Sequence, residues 1–307
     1  MKISVITVCY NAASLIDDCL RSVAEQTHKD IEHIIIDGLS SDSTVEIVSR
    51  YPHVARLISE RDNGIYDAMN KGLGLVGGAY VLFLNADDRF ASVSSVAKAV
   101  AAIESDPGAD VYYGDLEVRP ADGPAHVFRP PPPAEAPAFM VWGCLPHQST
   151  LAQPSVFEKT GRFDTRYRYH ADYDWFLKIL ADPAIDVRAV RVVIGSFRLG
   201  GASSQLAKGQ PEVYAIQNQS PLYASAEWDK KRIVALQDAF LRERLAAEQL
   251  RNELRAAREG RSLKSVPETI RSAARRGRWW VLNTCVRVLP PSTVALLRRV
   301  RSRGRAL

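Results

Sequence analysis

Two adjacent carboxylates, Asp87 and Asp88, leave the apolar run 80–84 in the tetrapeptide Asn85-Ala86-Asp87-Asp88. Hard divalent cations such as Mg2+ and Mn2+ bind through one or two carboxylates and keep positions open for the oxygens of a diphosphate. The pair is a candidate metal site of that kind; the alternative is a solvated turn in which Asp88 caps the next helix. Polar groups also gather after three other apolar runs, at Tyr10-Asn11, at Asp37-Gly38-Leu39-Ser40-Ser41-Asp42, and at Asp62-Asn63-Gly64 leading into Ile65-Tyr66-Asp67-Ala68-Met69-Asn70-Lys71-Gly72. Gly72, Gly74 and Gly77 spell the dinucleotide fingerprint GxGxxG. That fingerprint needs a strand before it and a helix after it, whereas here a helical pattern precedes it and an apolar strand follows, so the glycines read as a helix stop and a turn.

These groups need a scaffold that brings strand ends to one rim. Residues 3–9 and 31–37 are β-branched runs separated by Leu15, Ile16, Cys19, Leu20 and Val23 at helical spacing, and Ser14 with Asp17 resembles a capping box for that helix. The alternation continues through helix 43–50, strand 54–58, helix 66–76 and strand 80–84. It predicts an α/β fold, a mostly parallel Rossmann-like sheet with helices on both faces, in which ligands bind beyond the carboxyl ends of the strands. Helix 93–103 and strand 110–117 follow; 130–133, four prolines, is an extended connector; then come helix 171–180 and strand 187–197. A long charged helix over 228–258 carries Ile233, Leu236, Phe240, Ala247, Leu250 and Leu254 at heptad-like spacing broken by Glu243, and either packs on the body or pairs two copies into a homodimer.

Several separated motifs in matching order over residues 3–205 make the chain resemble a family 2 glycosyltransferase of the GT-A fold, in the bacterial branch with the GIYDAMNKG segment. The resemblance implies a donor half at about 1–117 and an acceptor half at about 118–210. It also implies that Thr7 and Tyr10 line a nucleoside pocket, that Asp37 binds base or ribose, and that Asp62, Asn70 and Lys71 position the ribose and diphosphate. Asn85 to Asp88 would be the family's DxD-type motif, with Asn85 in place of the first acid and with Asp87 and Asp88 on metal, ribose or diphosphate. Asp172 matches the family's catalytic base, its acidic neighbour replaced by Ala171; Asp174 is the rival, two residues on and turned to another side of the helix. His147 touches metal or diphosphate, or is structural, and Gly201 with Ser203 belongs to a loop over the donor. The implied activity is inverting, Mn2+- or Mg2+-dependent transfer from a UDP-, GDP- or dTDP-sugar to a lipid-linked or glycan acceptor in cell-surface glycan biosynthesis. A non-catalytic sugar-nucleotide-binding or scaffold protein is the alternative, and the retained Asp172 argues against it.

The 307 residues, 46% apolar and 24% charged, suffice for a buried core and exclude collagen, a disordered tail or a disulfide scaffold. Cys9, Cys19, Cys144 and Cys285 are too few and too irregular for a zinc or disulfide framework and read as reduced thiols. Residues 3–10 are apolar, but no small-residue cleavage site follows, so they read as a buried strand rather than a signal core. The net charge of +5 conceals an asymmetry. Residues 261–307 hold eleven Arg and one Lys against Glu268, which is +11, and the rest of the chain carries 28 bases and 34 acids, which is −6. Trp279, Trp280, Leu296 and Leu297 lie among those arginines with no apolar run long enough to span a bilayer. The expectation is a domain at 1–210, a helical extension at 211–260, and a basic amphipathic tail at 261–307. The tail would hold a cytoplasmic enzyme peripherally on the anionic inner face of the membrane, or else be solvated. The acidic body and the lack of an aromatic platform motif exclude nucleic acid as partner. A nucleotidyltransferase would need a Gly-rich basic loop where Tyr10-Asn11-Ala12-Ala13 stands.

Overall fold

The computed structural model describes residues 1–120, 123–200 and 206–258. The first half alternates as β1 (Ile3–Cys9), α1 (Ile16–Ala24), β2 (Ile31–Asp37), α2 (Thr44–Val48), β3 (Val54–Ser59), α3 (Ile65–Leu73) and β4 (Tyr80–Phe83). Then come β5 (Arg89–Phe90), α4 (Ser95–Ser105), β6 (Val111–Arg119), β7 (His126–Phe128), α5 (Ala136–Phe139) and a 3-10 turn, His147–Ser149. The chain continues through β8 (Thr150–Ala152), α6 (Pro154–Thr160), α7 (Ala171–Ala181), β9 (Val187–Arg198), α8 (Leu206–Gln219) and α9 (Ala226–Arg258).

The strands form one sheet in the order β3-β2-β1-β4-β8-β6-β9-β5, with β7 paired to β6. β1 lies parallel to β2 and β4, and β2 parallel to β3, so their carboxyl ends share one rim. The sheet turns mixed at β8, which runs antiparallel to both β4 and β6, whereas β6 and β9 are parallel again. Three residues are too few to show a periodicity, so β8 left no mark in the sequence pattern.

Alternation along β1 explains the layers. Ile3 and Val5 pack with Cys19 and Val23 of α1 and with Val96 and Val100 of α4. Ile6 points to the opposite face, where α3 approaches so closely that a Cβ on Gly72 would stand 2.6 Å from its Cγ2. Gly72 is thus a packing glycine. Gly74 ends α3 and β4 follows, so the GxGxxG triplet has helix before strand and is not a dinucleotide loop.

The capping box does not form. Leu15 occupies the N-cap of α1 with no side-chain cap, and Asp17 instead accepts the Tyr51 hydroxyl at 2.7 Å. The helix is entered through a turn in which the Ala12 carbonyl accepts the amides of Leu15 and Ile16.

The described residues divide into two compact units, one drawn from 1–119 and 125–233, the other from 120, 123–124 and 234–258. The first unit includes α8. Along α9, Ile233, Leu236 and Phe240 are each more than half exposed. Among the described residues no helix is long and apolar enough to cross a membrane. Cys9, Cys19 and Cys144 are free thiols. Residues 261–307, expected to bind anionic lipid, and the loop residues Gly201 and Ser203 lie outside the described residues.

Candidate active site

The rim begins where β1 and β2 end. Tyr10 is 64% exposed, and a Cβ added to Gly38 would collide with the Asp62 carboxylate and come within 3.3 Å of the Tyr10 ring. Tyr10, Gly38 and Asp62 therefore converge, and Asp62 is steadied by accepting the Gly64 amide at 2.9 Å. Thr7, Asp37 and Asn70 are each held by partners elsewhere in the fold. Thr7 is fully buried, its hydroxyl on His33 Nε2 at 2.9 Å. Asp37 is fully buried too, accepting the Ser40 amide at 2.9 Å and the Ser59 hydroxyl at 2.6 Å, which ties the β2 loop to β3. Asn70 clamps Phe163, donating to its carbonyl at 2.8 Å and accepting its amide at 3.0 Å. Lys71 pairs with Glu60 at 3.0 Å and donates to the Arg61 carbonyl at 2.7 Å, so it fixes the loop that carries Asp62.

Beyond β4, Asp88 turns inward rather than capping α4, whose N-cap is Ser94. It is 1% exposed; Oδ1 accepts the Arg198 amide at 3.3 Å, the Gln148 side chain lies close by, and among the described residues Oδ2 has no hydrogen-bond partner. Burial, and after it the charge of Asp87, pushes its pKa up to about 7. A buried carboxylate oxygen that is short of donors suits a cation ligand. Asp87 is half-buried beside it, and Arg119 secures the turn by donating to the Asp87 carbonyl at 3.2 Å. Among the described residues no cluster of three or more His, Cys, Asp or Glu could form a complete protein cage. Two adjacent carboxylates with one free buried oxygen fit Mg2+ or Mn2+, ions that take much of their coordination from substrate and water.

Asp172 lies in the first turn of α7. Tyr66 of α3 donates to its Oδ1 at 2.7 Å, and His147 Nδ1 sits 2.9 Å from its Oδ2. Burial alone would raise this carboxyl, but the hydrogen bond and charge of His147, with the Tyr66 hydroxyl, outweigh it and hold it below the ordinary carboxylate range. His147 moves the other way: burial opposes its charge, yet Asp172, Asp88 and Asp87 together lift it above the usual imidazole value. Its Nε2 lies 3.3 Å from Asn85 Nδ2, so His147 links the Asn85 to Asp88 turn to Asp172. Asp174, the rival carboxylate, pairs with Lys178 at 2.7 Å.

Two contributors were not among the expected site residues, although Tyr66 lies in the GIYDAMNKG segment. Tyr66 meets Asp172 across 106 positions of chain. Glu212 of α8 accepts the amides of Arg168, Tyr169 and His170 at 2.8, 2.8 and 3.1 Å, gathering donors at the entry to α7. A carboxylate there complements a helix N-terminus. Glu212→Ala is expected to lower stability by about 1 kcal/mol, because exposed and half-buried amides lose a charged acceptor, and to reduce turnover by loosening Asp172. Urea unfolding and a turnover assay check both; unchanged turnover would leave Glu212 with a purely structural role.

The sequence profile of Glycosyl transferase family 2 matches residues 4–128. A PGL/p-HBAD biosynthesis glycosyltransferase from Mycobacterium bovis is 33% identical over 208 residues, which is 66% of this chain and 79% of the relative. The chain belongs to glycosyltransferase family 2. A putative teichuronic acid biosynthesis glycosyltransferase, TuaG of Bacillus subtilis, is 39% identical over 92 residues, covering 29% of this glycosyltransferase and 36% of TuaG. Of solved structures, S. aureus TarS 1–349 in complex with UDP-GlcNAc matches with a TM-score of 0.58 at 18% identity, over 76% of this chain and 70% of TarS 1–349. Mannosyltransferase PcManGT from Pyrobaculum calidifontis, in complex with GDP-Man and Mn2+, matches with a TM-score of 0.55 at 18% identity, over 92% and 83%. The GT-A fold expected from sequence is thus the fold of this glycosyltransferase.

Proposed function

We propose that this glycosyltransferase moves a sugar, with inversion, from a nucleoside diphosphate sugar to a hydroxyl of a lipid-linked or polysaccharide acceptor. The observation that carries this reading is the Asp172 carboxylate, held by Tyr66 and His147 and linked through His147 to the turn that bears Asp87 and Asp88. As the acceptor oxygen bonds to C1, its proton passes to Asp172 and the bond from C1 to the diphosphate oxygen breaks. One base and one in-line displacement invert the anomeric centre. Asp172 stays ionised at neutral pH because His147 and Tyr66 hold its charged form. Asp87 and Asp88 would hold the divalent cation, which when bound neutralises charge growing on the departing diphosphate. Tyr10 and Asp62 take the nucleoside end.

The relatives named for PGL/p-HBAD and teichuronic acid biosynthesis support an acceptor of the surface glycan or glycolipid class. Two structures of like fold, with UDP-GlcNAc and with GDP-Man and Mn2+, support the donor class. The basic residues of 261–307 would keep the enzyme at an anionic leaflet, where a lipid-linked acceptor resides. The test is incubation of the full chain with radiolabelled UDP-, GDP- and dTDP-sugars, Mn2+ or Mg2+, and a bacterial lipid extract. Label should move to the organic or polymer fraction and stop moving with EDTA; transfer insensitive to EDTA would remove the metal from the reading.

A further inference from the structure

The stretch between β7 and the 3-10 turn builds an aromatic surface that the donor chemistry does not use. Phe128 stacks on Phe139 at 5.7 Å between centroids, and Trp142 meets Phe139 edge to face at 4.9 Å. Trp142 is nevertheless 60% exposed. Gly143 lets the backbone pass against the Phe139 ring, since a Cβ there would overlap the ring atoms, the second nearest at 2.6 Å. Phe128, Phe139 and Trp142 thus form one contiguous aromatic cluster with Trp142 as its exposed member.

This surface is tied to the helix that carries the base. The Tyr173 hydroxyl donates to the Met140 carbonyl, and Gln217 donates to the Val141 carbonyl at 3.0 Å and to the Tyr173 hydroxyl at 2.7 Å. At the other end of the same stretch His147 pairs with Asp172. Adjacent residues of α7, Asp172 and Tyr173, therefore anchor both ends of 140–147, and Trp142 stands one residue beyond the held Val141 carbonyl. An aromatic face carries partial negative charge and attracts the polarised C–H bonds on the flat side of a sugar ring. We propose that Trp142, backed by Phe139 and Phe128, is the stacking platform for a pyranose ring of the acceptor, holding it so that its hydroxyl meets Asp172. The inference rests on the transferase reading above and specifies its acceptor side.

Saturation-transfer NMR on the full chain tests it, with Mg2+, a mixture of UDP, GDP and dTDP, and a panel of methyl pyranosides (glucoside, galactoside, mannoside, rhamnoside), with 1,6-hexanediol as an apolar control. At least one pyranoside should receive saturation through its C–H protons while the diol does not. Trp142→Ala should cut that signal at least fivefold, Trp142→Phe should keep most of it, and the nucleotide signal should be unchanged in both. No pyranoside signal in the native chain, an undiminished signal in Trp142→Ala, or an equal effect on the diol would each overturn the platform. Loss of every nucleotide signal in the native chain would instead overturn the donor reading, so the two failures are told apart in one sample.

Discussion

Asp172→Asn should lose transfer by about 100- to 10,000-fold, the usual contribution of a positioned general base, while nucleoside diphosphates still stabilise the folded chain. The amide keeps the shape of the side chain but cannot take a proton from an attacking hydroxyl. Its neighbours can adjust: the Tyr66 hydroxyl also lies 3.0 Å from the Tyr169 carbonyl, and His147 can change tautomer. The fold should therefore survive, with a thermal midpoint close to the parent's. Label transfer checks the first half of this expectation, and the midpoint shift on adding nucleotide checks the second. Near-parental transfer would remove Asp172 as base, and Asp174, already paired with Lys178, would be a poor replacement.

Asp88→Asn should have two effects of opposite sign. In the unfolded chain this carboxyl titrates near its ordinary value, whereas burial and Asp87 raise it to about 7 in the fold. Its destabilisation is therefore absent below about pH 4, grows as pH rises toward 7, and is complete above that, reaching about 4 kcal/mol if the whole shift is expressed. Asparagine carries no charge to desolvate. The metal-free variant should melt higher than the parent at pH 8 and show no such gain at pH 4. The same change removes a proposed cation ligand, so divalent metal affinity should fall by at least about 100-fold, beyond the loss typical of a supporting partner. Thermal melts at the two pH values, each with and without Mn2+, read out both effects. A variant that still responds to Mn2+ like the parent would exclude Asp88 as a ligand.

Much of the scaffold was legible because it follows local periodicity. β1, β2 and β4 read as apolar runs, α1 as a 3.6-residue stripe, and the rule of strand carboxyl ends places Tyr10, Asp62, Asp87 and Asp88 on one rim. Depth was not legible. Thr7, Asp37 and Asn70 sit at strand ends or on α3 as expected, but long-range partners (His33, Ser59 and Phe163) draw their polar groups inward. The pairing of Tyr66 with Asp172 and the grip of Glu212 on the start of α7 depend on which helix lies beside which, and periodicity carries no such information. The capping box failed for a related reason, since Asp17 found Tyr51, 34 residues away. The short strands form because the sheet supplies their partners: β8 lies between β4 and β6, and β5 pairs with β9 at the end of the sheet.

One titration bears most directly on the central claim that the rim at Tyr10, Asp62, Asp87 and Asp88 is a metal-dependent nucleoside diphosphate site. The full chain is melted with UDP, GDP, dTDP and CMP, each with and without Mn2+ or Mg2+, and binding is confirmed by calorimetry. A ligand at 100 times its dissociation constant adds about 2.7 kcal/mol of stability. The expected result is a rise in midpoint with one nucleoside diphosphate, present only with the divalent cation and lost in Asp88→Asn. No shift and no calorimetric heat with any of the four nucleotides would contradict the claim and leave the rim without a substrate.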